Sequence, residues 1–114
     1  MEKILPNAHL AYIDDRKLTE YCLNPEHAVG KNKAKVFKSA LNLIQDNYVI
    51  LKEAILEAVL ETKAQVSSTD QYGTRYSTDF QMENEDKLAT VRATWICETS
   101  ADAVPRLTSC YIVT

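Results

Sequence analysis

The chain has 114 residues, of which 46% are hydrophobic and 25% charged, the size and balance of one globular domain over residues 1–114. Its two glycines and three prolines exclude a flexible linker or a low-complexity tract. The formal net charge of −3 argues mildly against a nonspecific nucleic-acid binder, because such proteins usually carry a basic surface. The sequence contains no apolar stretch of bilayer or signal-peptide length, so we expect a cytoplasmic protein that does not contact membranes.

Three cysteines, Cys22, Cys97 and Cys110, lie within apolar patterns. Their odd number and the absence of a CxxC spacing argue against a disulfide framework and against a zinc ribbon. Free cysteine behaves as a small hydrophobic residue, and a reducing compartment keeps it so. The sequence also lacks a phosphate-binding glycine loop, an HExxH helix and a nucleophile elbow. We therefore expect no metal and no cofactor.

The N-terminal third predicts an extended segment and a short helix. Residues Ile4–Ile13 favour an extended conformation and are a candidate fourth strand of the sheet described below. Asp14 and Asp15 can cap a helix that runs to Leu23, because their carboxylates accept the free N–H groups of its first turn. Pro25 stops this helix, since proline disfavours helical geometry in the residue before it.

Two longer helices follow, and both show the three-and-four spacing of a buried stripe. The first is predicted from Lys33 to about Ile44, with Asn32 as its cap. The second is predicted from Tyr48 to about Lys63, with Asp46 or Asn47 as its cap. The apolar positions that define the two stripes are Ala34, Phe37, Leu41 and Ile44 in the first helix and Leu51, Ala54, Ile55, Ala58 and Val59 in the second.

From Gln71 onward the apolar period changes to two, which predicts β-strands. A strand from Gln71 turns at residues 83–86 into a second strand at 87–98. A loop at 99–105 then leads to a last strand at 106–113. Helices followed by an antiparallel meander predict an α+β fold in which N-terminal helices pack on one face of a sheet with three or four strands.

Two groups of residues could carry chemistry. His27, Gly30 and Lys33 form part of an H-x-x-G-x-x-K pattern before the first long helix. A histidine exchanges protons near neutral pH, and a lysine near a helix start can help backbone N–H groups to hold an anion. The structural alternative is that His27 caps or packs the turn and Lys33 is solvated.

Arg92 lies in the middle of a predicted strand between Thr90 and Thr94. It either binds an anionic ligand or pairs with Asp79 across the hairpin, and opposite-charge cross-strand pairs are common. Thr108 and Tyr111 on the last strand matter for a site only if they share a face with Arg92.

The segments HAVGKNKAKVF and VRATWI, with DQYGTRYSTDFQM and PRLTSCYIV, resemble a bacterial family catalogued only as a domain of unknown function. The resemblance covers nearly the whole chain and implies a small bacterial protein whose stand-alone forms look like members of toxin–antitoxin pairs. Similar domains also occur at the ends of larger phage-linked or secreted-toxin-like proteins. The arrangement of helices, sheet, histidine and cations further resembles the barnase, EndoU and RelE group of ribonucleases, although this chain is acidic and has a single well-placed histidine.

The resemblance implies a metal-independent endoribonuclease in which the RNA 2′-hydroxyl attacks the adjacent phosphate. His27 would then be the general base or acid, and Lys33 and Arg92 would stabilise charge on the phosphoryl oxygens. Thr108 or Tyr111 would position the phosphate or supply a proton. The expected partners are RNA and a cognate antitoxin protein, and a homodimer remains open.

Two alternatives remain beside the enzyme. One is a non-enzymatic binding module, such as an antitoxin or immunity-type partner, and the other is an inactive adaptor with the fold of a nuclease. The enzyme hypothesis requires His27, Lys33 and Arg92 to converge on one solvent-open cleft.

Overall fold

The computed structural model describes residues 3–98 and 104–113. Its five strands form one antiparallel sheet in which each strand lies beside its neighbours in sequence. The strands are β1 (Lys3–Ile4), β2 (Lys63–Asp70), β3 (Gly73–Asn84), β4 (Lys87–Glu98) and β5 (Pro105–Val113). A two-residue turn, Glu85 and Asp86, joins β3 to β4 in a β-hairpin. Both residues have positive φ angles, of 50° and 66°.

Three helical segments precede most of the sheet. The first is a π-helical turn at Lys17–Cys22, and the α-helices α1 (Lys31–Leu41) and α2 (Tyr48–Ala58) follow it. Short 3₁₀ turns lie at Ala8–Leu10 and Gln45–Asn47. Within the described ranges, no helix has the length and apolar composition that crossing a bilayer requires.

The helices cover one face of the sheet and leave the other face polar. Trp95 and Val91 of β4 are fully buried and belong to the same apolar cluster as Phe37 of α1 and Ile55 of α2. Arg92, between those two β4 residues, points to the opposite face, because successive side chains of a strand alternate. The predicted α+β class with an antiparallel sheet is confirmed. The strand number of three or four is wrong, and the helices are not strictly N-terminal to the sheet, because β1 precedes them.

The additional strand, β2, begins at the residue where the second helix was predicted to end, and no element was predicted for residues 64–70. The chain leaves α2 after Ala58 through shortened turns, in which the Leu60 and Glu61 N–H groups bond carbonyls three residues back. Strand β2 begins at Lys63 and pairs with β3. The run Val-Ser-Ser-Thr favours extended structure, but every residue of β2 beyond Ala64 is exposed, so the strand shows no alternation of buried apolar residues by which the sequence could predict it.

Other boundaries also differ from the prediction. Helix α1 begins at Lys31, so Asn32 lies inside it, and it ends where Asn42 adopts a left-handed φ of 55°. Ile44 therefore lies beyond the helix and is 40% exposed. Tyr72 belongs to the turn between β2 and β3, because Asp70 pairs with Gly73. Of the predicted loop at 99–105, residues 99–103 lie outside the described residues.

A bulge in β5 explains why its sequence alternation is ambiguous. Leu107 pairs with Trp95, but Ser109 pairs with the adjacent Thr94, so Thr108 is an extra residue in the ladder. Leu107 on one side of the bulge and Cys110 on the other can therefore both face the core. The bulge places Thr108 beside Thr94 on the polar face.

The N-terminal segment reaches both edges of the sheet. Lys3 and Ile4 pair with β2, whereas Tyr12 forms a parallel bridge with Arg106 of β5. The predicted extended segment Ile4–Ile13 is therefore not one strand: it contributes two residues to the sheet, makes a 3₁₀ turn, and ends at the opposite edge.

Candidate functional site

Lys33 lies at the centre of a polar cluster where α1 meets the edge of β5. Its ammonium Nζ donates hydrogen bonds to the Tyr21 hydroxyl at 2.7 Å and to Ser109 Oγ at 2.8 Å. The same atom lies 4.6 Å from the centroid of the Tyr21 ring and 5.5 Å from that of Tyr111. Within residues 3–98 and 104–113 no carboxylate forms an ion pair with Lys33. Lys33 is thus a half-buried cation held by hydroxyls and aromatic faces.

Tyr111 connects Lys33 to Arg92. Tyr111 is the cross-strand partner of Arg92, so both side chains lie on the polar face of the sheet. The Arg92 guanidinium donates two hydrogen bonds to Asp79, at 2.7 and 2.8 Å. Hydrogen bonds with Asp79 and then with Tyr111 raise the pKa of Arg92, and the Arg92 pairing lowers the pKa of Asp79. The cross-strand pair that the sequence offered as the alternative for Arg92 is therefore present.

Hydroxyl groups continue the cluster along β5. The hydroxyls of Thr94 and Thr108 lie 2.7 Å apart, and Thr108 Oγ1 also donates to the Thr94 carbonyl at 3.1 Å. Thr94 is next but one to Arg92 on β4 and so lies on the same face. The condition set for Thr108 and Tyr111, a face shared with Arg92, is met.

His27 caps the turn before α1, which is the structural alternative stated from its position in the sequence. Its Nδ1 accepts hydrogen bonds from the backbone N–H groups of Val29 at 3.0 Å and Gly30 at 2.9 Å, just before α1 begins. Because Nδ1 is an acceptor here, the neutral ring carries its proton on Nε2. His27 in this tautomer can donate a hydrogen bond from Nε2, but it cannot accept a proton there. The general-base role at Nε2 is therefore disfavoured, and a neutral imidazole is too weak an acid to release its remaining proton.

Tyr21 connects His27 to the rest of the cluster. The two rings pack edge to face with centroids 4.9 Å apart and planes inclined at 69°. An open groove of about 540 Å³ borders both rings and is lined by Asp14, Arg16, Lys17, Glu20 and Val29 besides. A chain of contacts through Tyr21 and Tyr111 links His27, Lys33 and Arg92, but neither Lys33 nor Arg92 lines the groove that borders His27.

Two buried thiols lie under Lys33. Cys22 Sγ accepts a hydrogen bond from the Cys110 N–H at 3.4 Å and lies 4.0 Å from Ser109 Oγ. Hydrogen bonding from Cys110 lowers the pKa of Cys22, and the nearby Lys33 charge acts in the same direction. Both cysteines are free, and they anchor the π-helical turn to β5.

The sequence prediction missed Tyr21 and did not include Ser109, although these two side chains hold Lys33. Tyr21 belongs to the π-helical turn, and its partly buried ring packs against the core. Nothing in the sequence pairs it with a lysine twelve residues later, because that contact depends on how the π-helical turn packs against α1. Among the described residues, no group of histidine, cysteine, aspartate or glutamate side chains could hold a metal ion.

Comparison with known proteins identifies the family and the fold. A family model described as "Domain of unknown function (DUF6883)" matches residues 4–114. Among solved structures, one chain of a "Contact-dependent growth inhibition toxin - immunity protein complex from Klebsiella pneumoniae 342" superposes with a TM-score of 0.68 and 17% sequence identity. The alignment covers 89% of this chain and 98% of that chain, and likeness at this identity concerns the fold. No curated protein matches. The resemblance to a family of unknown function is confirmed: the chain belongs to DUF6883.

Proposed function

We propose that this protein is the toxin of a bacterial toxin–antitoxin pair and that it acts as a metal-independent endoribonuclease at the Lys33–Arg92 cluster. The observation that supports this most is the environment of Lys33. A cation that lacks a described carboxylate partner is held by the hydroxyls of Tyr21 and Ser109 at a solvent-accessible edge. An RNA phosphate would supply the negative charge that this arrangement lacks. Cellular RNA as the substrate implies that the protein acts in the cytoplasm.

In the proposed reaction the RNA 2′-oxygen forms a bond to phosphorus and the bond from phosphorus to the 5′-oxygen breaks. The products are a 2′,3′-cyclic phosphate and a 5′-hydroxyl end. Lys33 Nζ and the Arg92 guanidinium stabilise charge on the phosphoryl oxygens. Thr108 and Tyr111 orient the phosphate, and the neutral His27 ring donates a hydrogen bond from Nε2 to a phosphoryl oxygen. Solvent water accepts the 2′-hydroxyl proton and returns a proton to the leaving 5′-oxygen, so the protons balance.

The second candidate is a binding module of the immunity type. The observation that favours it is the ion pair of Arg92, whose guanidinium is already occupied by both carboxylate oxygens of Asp79. In this alternative the polar cluster is a structural network, and the function lies in recognition of a partner protein. The described fold serves either candidate, because fold does not determine activity.

RNA cleavage by the purified protein separates the candidates. We expect Lys33→Met, which keeps most of the apolar stem, to lower the cleavage rate by roughly 10²–10³-fold, the usual cost of removing one donor to the reacting phosphate or carbonyl oxygen. Lys35→Met is the matched control, because it removes a lysine from the same helix on a different side and should cleave as the wild type does. The readout is the rate and the end chemistry of a labelled RNA.

The variant that tests His27 must keep a side-chain acceptor for the backbone N–H groups of Val29 and Gly30. His27→Asn retains a side-chain acceptor for the start of α1 but lacks the imidazole Nε2–H donor, and we expect the cleavage rate to fall by roughly 10²–10³-fold. Expression in bacteria should arrest growth with the wild type and not with either variant. Absence of cleavage by folded wild-type protein would reject the enzyme in favour of the binding module. Cleavage at equal rates by Lys33→Met and wild type would reject the assignment of the active site to the Lys33 cluster.

A further inference from the structure

A second groove lies on the side of α1 that faces away from β5. Its volume is about 520 Å³, comparable with pockets that bind ligands or side chains of a partner. Its apolar wall is formed by Leu23, Ala34, Leu43 and Ile44. Ile44 is 40% exposed, so its apolar side chain, which lies beyond the end of α1, is accessible to a binding partner.

Three lysines of α1, at positions 31, 35 and 38, line this groove. With 3.6 residues per helical turn they lie within about 60° of one another around the axis, whereas Lys33 lies about 170° away. The helix therefore presents one lysine to the candidate active site and a separate row of three to the groove. None of the three has an ion-pair partner within residues 3–98 and 104–113.

The chemistry of the groove favours one class of occupant. The lysine row spans two turns, about 10 Å, which matches acidic residues spaced along a helix. The apolar wall beside it matches the apolar face of the same helix, as in the binding of amphipathic helices to grooves. A nucleic-acid backbone fits less well, because it offers no apolar face and because Asp46 lines the same groove with a negative charge.

We propose that this groove binds an acidic, amphipathic helix of a partner protein, with its carboxylates on the lysine row and an apolar side chain against Ile44. The surface is distinct from the Lys33 cluster, so the partner can be bound without filling the candidate active site. The inference does not depend on ribonuclease activity, since a toxin and an immunity-type protein would both need such a surface.

The test measures binding of a synthetic helical peptide by fluorescence anisotropy. The probe has about 15 residues, with glutamates on one side of a leucine stripe, and a matched peptide carries glutamine in place of glutamate. The wild type should bind the acidic probe and discriminate against the glutamine peptide. Lys35→Glu/Lys38→Glu should weaken binding by roughly tenfold or more, given the modest energy of each exposed ion pair. Ile44→Ser should weaken it as well.

The charge-matched control is Lys3→Glu/Lys17→Glu, which changes two exposed lysines outside this groove and should leave probe affinity unchanged. Circular dichroism confirms the fold of each variant. Equal effects of the two double variants would overturn the proposal, because they would show a response to net charge alone. Failure of the wild type to bind the probe would also overturn it.

Two further outcomes would assign the groove to another occupant and overturn the proposal. Loss of RNA affinity in Lys35→Glu/Lys38→Glu, with the Ile44→Ser variant unaffected, would identify a nucleic-acid surface. Concentration-dependent dimerisation that Ile44→Ser abolishes would identify a second copy of this chain, whose α2 carries glutamates at positions 53 and 57. Ribonuclease activity is measured separately, so failure of either proposal can be recognised without the other.

Discussion

At the scale of single residues, the core depends on one buried polar contact. The Trp95 indole N–H donates to Thr78 Oγ1 at 3.1 Å, and that hydroxyl donates to the Ala93 carbonyl at 3.4 Å. Thr78 is 1% exposed and Trp95 is completely buried, so water does not reach either group. Thr78 therefore provides the acceptor that the largest core side chain needs.

Removing that acceptor should cost stability. Thr78→Val keeps the shape of the side chain but leaves the indole N–H without a partner, and we expect a loss of about 1–3 kcal/mol in the free energy of unfolding. Thr78→Ser retains the hydroxyl and should retain the Trp95 hydrogen bond, losing one methyl group. Urea unfolding followed by Trp95 fluorescence measures both. A valine variant as stable as the wild type would contradict this account.

At the scale of elements, Gly30 allows α1 to start against the π-helical turn. A Cβ atom at this position would lie 2.2 Å from the Tyr21 carbonyl oxygen and 2.9 Å from a Tyr21 ring carbon. The φ angle of −79° is ordinary, so the requirement for glycine is steric. The close approach fixes the distance between Tyr21 and the start of the helix that carries Lys33.

Gly30→Ala should therefore disturb the Lys33 cluster, although Gly30 contributes no side chain to that cluster. Because backbone atoms must move to admit the methyl group, we expect destabilisation of about 1–3 kcal/mol, the usual cost of overpacking, with loss of the Lys33–Tyr21 contact. Calorimetry gives the stability, and the chemical shifts of labelled lysine Nζ groups report the contact. Ala28→Gly, a neighbouring exposed position, is the control. Retention of both stability and the contact in Gly30→Ala would contradict the steric argument.

The elements that the sequence predicted well are those with strong periodic burial. The β4 boundaries at Lys87 and Glu98 agree with the prediction, because its alternating residues pack on the core. Strand β2 was missed, since its residues are nearly all exposed and carry no pattern. Convergence of Lys33 with Tyr111 depends on the packing of α1 against β5, which local sequence does not encode. The Arg92–Asp79 pair was predictable because strand register follows from a short hairpin.

At the scale of the whole molecule, ion pairs govern the response to acid. Hydrogen bonding to Arg16 lowers the pKa of Asp14 from an ordinary 3.8 to about 2. Hydrogen bonding to Arg92 lowers the pKa of Asp79 as well. A carboxyl group with a lower pKa in the folded state stabilises the fold above its unfolded pKa, and that contribution is lost as pH falls through the folded pKa.

We therefore expect the free energy of unfolding to be unaffected by these groups from neutral pH to about pH 5 and to decline below about pH 4. Asp14→Asn/Asp79→Asn should show a shallower decline, because it removes the two titrations. Glu53→Gln, at an exposed position on α2, should follow the wild type. Urea midpoints measured between neutral pH and pH 2 provide the comparison, and identical slopes for wild type and double variant would refute the assignment.

The hydrogen bonds that other segments make to β5 also limit how other proteins can attach to this strand. Tyr12 donates its N–H to the Pro105 carbonyl and accepts from the Leu107 N–H, while the Cys110 N–H is held by Cys22 Sγ. These peptide groups are already satisfied, so they offer little to a foreign strand seeking to extend the sheet. We expect recognition at these positions to proceed through side chains, and the same hydrogen bonds help to protect this edge strand from edge-to-edge aggregation.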